Sequence, residues 1–122
     1  MVIDVKKSNF QEEVISADKL VMVDLYATWC TPCKALAPVL EELADKYADK
    51  IKVVKVNVDE EESIAAKFGI ASIPTVIFFK NGQTAASFVG LRSASEIEKM
   101  IEKLNDAYNN LVIFVPVKNI SL

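Results

Sequence analysis

Both cysteines of this 122-residue chain lie in Trp29-Cys30-Thr31-Pro32-Cys33-Lys34, two residues apart, where a strand-like apolar run gives way to a helical pattern. A loop this short does little to restrict an unfolded chain, so the pair suits thiol–disulfide exchange better than stapling. Cys30 falls at the N-terminal edge of the expected helix. Unpaired backbone N–H groups and the helix dipole there favour a thiolate and pull its pKa below that of a free thiol, which makes Cys30 the candidate nucleophile. Cys33, one turn further in, is expected to be more buried and less ionised, suited to attacking the mixed disulfide that Cys30 forms with a substrate. Pro32 fits the first helical turn, where its missing N–H loses nothing, and it stiffens the link between the sulfurs.

The competing reading of the pair is half of a zinc site. Tetrahedral zinc needs two more ligands, and the chain has no further cysteine and no histidine, so only a dimer would complete it. The same absence of histidine excludes Cys-His and Ser-His-Asp catalysis. Asp24 interrupts an otherwise apolar run; burial should raise its pKa and make it a proton acceptor or donor near neutral pH. Its alternative role is to pair with a buried cation, for which Lys55 on the neighbouring expected strand is the candidate, and the two roles are compatible. Lys34, in a first helical turn, is read as solvated. Pro74, preceded by Ile73 and followed by a β-branched strand, fits a cis bond that exposes the backbone of Ile73 to an extended substrate segment, where otherwise it would be a mere turn residue. Trp29, a bulky indole at a strand end beside a reactive thiol, is expected to be partly exposed rather than core, and to form an apolar platform with Ile73 and Gly90.

The elements that must hold these groups follow from periodicity. Leu20 to Ala27 is apolar on both alternating faces, as a central strand covered on both sides would be. A helix over 31–48 carries Leu36, Val39, Leu40, Leu43 and Tyr47, with Pro38 expected to bend it. Residues 51–58 read as a second strand, and Asp59 is the expected N-cap of a helix that carries Ile64, Ala65 and Phe68 and ends at Gly69. Strands over 75–79 and 85–89 form a hairpin across Asn81-Gly82. Ser93-Ala94-Ser95-Glu96 opens a last helix as a capping box, ending near Tyr108, and Ser8-Asn9-Phe10-Gln11 has the same spacing ahead of a short helix over 9–17. Alternating β and α segments with a closing hairpin imply a mixed sheet with helices on both faces. An apolar fraction of 52% is ample for one domain. The net charge of −3, without a basic stripe, makes nucleic acid an unexpected partner. No apolar run approaches the roughly 20 residues of a membrane span, and Met1 leads into mixed residues, so neither signal peptide nor membrane helix is expected and the cytoplasm is favoured.

Val23-Asp24-Leu25-Tyr26-Ala27-Thr28-Trp29-Cys30-Thr31-Pro32-Cys33-Lys34, then Ile73-Pro74-Thr75, then Val89-Gly90, together resemble the thioredoxin family over about residues 3–108. The resemblance implies the thioredoxin fold, an α/β architecture with a five-stranded mixed sheet flanked by four helices, and Pro74 in a cis peptide bond beside the cysteines. It implies a dithiol that reduces disulfides in other proteins and is itself reduced by a flavin-dependent reductase, with no cofactor beyond the Cys30–Cys33 disulfide. The family is itself a standard example of a helix-lowered thiol pKa. It places a buried acid at Asp24, six residues before Cys30, to act on Cys33. Thr31 departs from the family's usual glycine, and its β-branched bulk is expected to bear on the redox potential or the fit of partners while leaving the chemistry possible. Neither residue between the cysteines is histidine, a feature of the oxidising and isomerising relatives, so the reducing direction is preferred.

The expected site therefore comprises Cys30, Cys33, Asp24 and Lys55 for chemistry, with Trp29, Thr31, Pro32, Ile73, Pro74 and Gly90 meeting the substrate. The rival function is an interaction module of the same fold in which the cysteines are dispensable; a disulfide-introducing oxidase is a third reading. Residues 1–108 form the expected domain. Residues 109–122 are an apolar, β-prone extension that should cover part of the domain, pair with a sheet edge or join a second chain, so the expectation is a monomer with a tail-mediated dimer as the alternative. Pro116 suits an edge strand rather than a central one.

Overall fold

A mixed sheet of five strands runs in the order β1-β3-β2-β4-β5, with β1 (Val2–Asp4), β2 (Leu20–Tyr26) and β3 (Ile51–Asn57) mutually parallel and β4 (Thr75–Lys80) and β5 (Gln83–Val89) antiparallel. The computed structural model describes the backbone of residues 1–111 and the side chains of residues 1–105. Helices are α1 (Thr31–Lys46), α2 (Glu62–Lys67) and α3 (Ala94–Leu111), preceded by a helical segment made of a 3-10 turn, Lys7–Asn9, and a π turn, Gln11–Ile15.

The double-sided apolarity of β2 has a direct cause. Leu20 and Met22 pack with Leu36, Leu40 and Leu43 of α1 and with Ile97 and Ile101 of α3. Val21, Val23 and Leu25 point the other way, into a second core with Phe10, Val14, Ile64 and Phe79. Each full burial of such a side chain stabilises by roughly 1.5–3 kcal/mol, so the middle strand anchors both cores. Asp24 shares the parity of Leu20 and Met22 and therefore lies on the α1 side of the sheet.

The expected fold class is present: a thioredoxin fold of five strands in a mixed sheet with four helical segments. Several local expectations are corrected. The first helical segment starts at Lys7 rather than residue 9, because Asn9 Oδ1 accepts the Lys6 amide at 2.7 Å and closes a turn ahead of the Ser8-to-Gln11 box. Asp59 does not cap α2. The N-cap is Glu61, without a side-chain bond, since Asp59 is engaged elsewhere. α2 ends at Lys67 with Phe68 as C-cap, and Gly69 (φ +61) closes it as expected: Gly69 and Ile70 donate to the carbonyls of Ala66 and Ala65, a Schellman closure.

The hairpin turns on Asn81 (φ 52) and Gly82 (φ 77), the left-handed pair that a two-residue loop needs. At α3 the Glu96 amide donates to Ser93 Oγ at 3.1 Å and the Ser93 amide to Glu96 Oε1 at 3.4 Å, so this capping box forms as expected. α3 continues past Tyr108 to Leu111. Of the extension expected over residues 109–122, residues 109–111 belong to α3, and residues 112–122 lie outside the described residues.

Candidate functional site

β2 delivers its C-terminal end to a short turn, Ala27 to Trp29, from which Cys30 enters α1 as its N-cap with extended backbone (φ −87, ψ 114). The Cys30 amide returns to the Ala27 carbonyl at 3.3 Å and its carbonyl accepts the Lys34 amide at 3.1 Å, which fixes the residue at the helix mouth. Cys30 and Cys33 are joined as a disulfide, with Cα atoms 5.2 Å apart. Cys30 Sγ accepts the Cys33 amide at 3.3 Å and so takes the place that a capping oxygen holds in other helices. The expected difference in burial is not found: both cysteines are 4% exposed. Ala27, Tyr26, Val58 and Ile73 pack around the pair and cover both. What separates them is the hydrogen bond, which reaches Cys30 Sγ alone.

Ile73–Pro74 is a cis peptide bond, and the Ile73 carbonyl lies 3.8 Å from Cys30 Sγ. The segment is tied down on both sides. The Pro74 carbonyl accepts the Gly90 amide at 2.8 Å, and Thr75 Oγ1 donates to the Ser72 carbonyl at 2.6 Å. Gly90 has φ +88, and a Cβ added there would meet nothing within 4 Å, so the backbone conformation and not crowding calls for glycine. Among the described residues no backbone partner meets the amide or carbonyl of Ile73, which leaves both available to an extended segment. Thr31 and Pro32 are exposed beside the disulfide.

Trp29 is 67% exposed, as expected, and its Nε1–H donates to Asp59 Oδ2 at 2.8 Å. The indole and Ile73 line one groove of about 310 Å³, with Val58 and Ile70 in its apolar wall and Glu62 at its edge. Gly90 does not line that groove; it reaches the site through Pro74. Asp59 escapes sequence reading because its position also suits a helix cap. The signal for its other role is Asn57-Val58-Asp59, since asparagine leaving a strand readily builds a turn with its own side chain.

Asp24 is 5% exposed, and its Oδ1 has no hydrogen-bond partner. Burial pushes its carboxyl up from 3.8 to about 7, partly opposed by the charge of Lys55. Lys55 sits directly across from Asp24 on β3, yet among the described residues the two form no ion pair. The Lys55 ammonium instead lies over the Tyr26 ring, 5.8 Å from its centroid. The cation therefore biases the acid without neutralising it.

The family model described as Thioredoxin matches residues 1–103. A chloroplastic M-type thioredoxin of Spinacia oleracea is 48% identical over 100 residues, covering 82% of this chain and 55% of its own length. Thioredoxin 1 of Nostoc sp. is 46% identical over 99 residues, covering 81% of this chain and 92% of its own. Thioredoxin of Haemophilus influenzae is 40% identical over 102 residues, covering 84% and 95%. The chain spans little more than half of the chloroplastic relatives, 55% of the spinach protein and 58% of that from Pisum sativum. Since the matched residues 1–103 take in the sheet, the disulfide and the cis-proline together, the chain belongs to the thioredoxin family.

Proposed function

We propose that this protein is a thiol–disulfide oxidoreductase that reduces disulfides in other proteins through Cys30 and Cys33. In the dithiol form, the Cys33 amide and the start of α1 stabilise a Cys30 thiolate. The thiolate attacks one sulfur of a client disulfide, forming a mixed disulfide and expelling the client's other sulfur as a thiolate. Asp24 accepts the proton of the Cys33 thiol, directly or through a water. The Cys33 thiolate then attacks Cys30 Sγ and releases the client's second sulfur, which takes up a proton. Two electrons pass to the client, and the chain is left as the Cys30–Cys33 disulfide seen here.

The observation that carries this reading is the helix-start sulfur with a backbone N–H aimed at it, beside a cis-proline whose preceding backbone is free to pair with an extended client segment. Trp29, Ile73 and Pro74 shape that surface, Gly90 holds Pro74, and exposed Thr31 and Pro32 border it. A flavin-dependent reductase is the partner that would return the electrons, and a monomer in the cytoplasm is the form and place that suit a reductant. The names of the spinach and pea relatives make a chloroplast-type compartment the alternative. Among the described residues no helix is long and apolar enough to cross a membrane.

Replacing Cys33→Ser removes the resolving sulfur, so clients should accumulate as covalent adducts on Cys30, visible as thiol-reversible bands and absent from the Cys30→Ser, Cys33→Ser double variant. Partners held equally well by the double variant would point instead to an interaction module.

A further inference from the structure

Among the described residues Trp29 is, after Met1, the most exposed large apolar side chain, yet its ring is not left loose. Its bond to Asp59 Oδ2 at 2.8 Å ties a ring that is 67% accessible to the turn carrying that acceptor. The turn is braced by several hydrogen bonds. Asn57, 7% exposed at the end of β3, accepts the amides of Asp59 at 2.9 Å and Glu60 at 3.2 Å, and its carbonyl accepts the Glu61 amide at 2.9 Å. Two of the neighbouring carboxylates are committed elsewhere: Glu60 to Lys6 Nζ at 2.9 Å and Glu61 to the Lys7 amide at 2.6 Å. Asp59, by contrast, accepts the Trp29 indole N–H.

We propose that Asp59 is a positioning residue for macromolecular substrates: through Trp29 Nε1 it fixes the indole as the wall of the 310 Å³ groove beside the disulfide, where an extended segment flanking a client's disulfide lies. The proposal rests on the disulfide-exchange reading above. A protein client that fills the groove depends on a fixed wall, whereas a small disulfide that needs only access to Cys30 does not. Asp59 thereby raises selectivity for protein disulfides over small ones without touching the reacting sulfurs.

Trp29 is the only tryptophan in the chain, so indole motion is read without interference. Time-resolved fluorescence anisotropy of the native protein, Asp59→Ala and Asp59→Asn is combined with steady-state reduction of insulin and of oxidised glutathione. In Asp59→Ala the ring gains fast motion, KM for insulin rises about five- to tenfold with kcat within about twofold, and glutathione reduction is unchanged. Asp59→Asn, which keeps an acceptor oxygen in place, restores both the slow ring and the insulin KM. An indole as immobile in Asp59→Ala as in the native protein overturns the clamp, and equal losses on insulin and glutathione reduce it to a structural contact. Native protein inactive on both substrates overturns the exchange reading and the client role with it, while the anisotropy comparison still separately decides whether Asp59 holds the ring.

Discussion

A carboxyl oxygen with no partner, in a residue 5% exposed, makes Asp24 costly whenever it is charged. Its proton is held to about pH 7 in the fold, against 3.8 for an ordinary aspartate. Below the lower value both folded and unfolded chains are protonated, and this group's contribution to stability is fully present. As pH rises from there through the folded value, the unfolded chain sheds its proton first, so stability is lost and then levels off. Three units at about 1.4 kcal/mol each set an upper bound of roughly 4 kcal/mol. In urea denaturation of the oxidised protein, Asp24→Asn should therefore be more stable than the native chain near pH 8 by a few kcal/mol, with the gap closing towards pH 4. Curves that stay parallel across that range would show that the acid titrates normally. The same substitution should slow the attack of Cys33 that releases clients, and remove an inflection near neutral pH from the rate profile of that step.

Turns and caps govern how the elements meet, and two glycines with similar φ separate conformational strain from contact. Gly69 (φ +61) closes α2 with nothing within 4 Å of an added Cβ, so Gly69→Ala carries only the left-handed penalty, about 1 kcal/mol. Gly82 (φ +77) in the hairpin would place a Cβ 3.0 Å from the Ile15 carbonyl oxygen and 3.1 Å from its Cγ2. Backbone cannot swing aside as a side-chain tip can. Gly82→Ala should thus cost clearly more, about 2 kcal/mol or above, because it also pushes the hairpin away from the first helical segment. Thermal or urea unfolding of the two variants side by side gives the difference, and equal losses would mean that the Ile15 contact yields without cost. Neither site touches the disulfide, so client reduction should survive in both.

At the scale of the molecule, what is legible in the sequence is what depends on neighbours along the chain. The cysteine spacing, the Asn81-Gly82 hairpin, the Ser93 box and the double-sided β2 with its one acid all have local causes. β1 is not legible from its residues, since three residues offer too little alternation to distinguish a strand. The equal burial of Cys30 and Cys33 depends on Val58 and Ile73 arriving from distant parts of the chain, and the role of Asp59 depends on Trp29 being within reach. Such long-range meetings have no periodic signature. They also decide the direction of the redox chemistry, because the fold and the disulfide are linked thermodynamically. If the native structure favours the Cys30–Cys33 bond, the protein is a reductant, and by closure of the cycle its oxidised form must unfold less readily than its dithiol form. If the protein were an oxidase, the order would reverse. The difference between the two stabilities, measured by urea at one pH, converts at about 1.4 kcal/mol per 30 mV to the difference in potential between the folded and the unfolded chain. We expect the oxidised chain to be the more stable, by an amount matching the difference between the potentials of the folded and the urea-unfolded chain, each found by equilibration with glutathione. A dithiol form more stable than the disulfide form would reverse the proposed direction of electron flow while leaving the fold and the family intact.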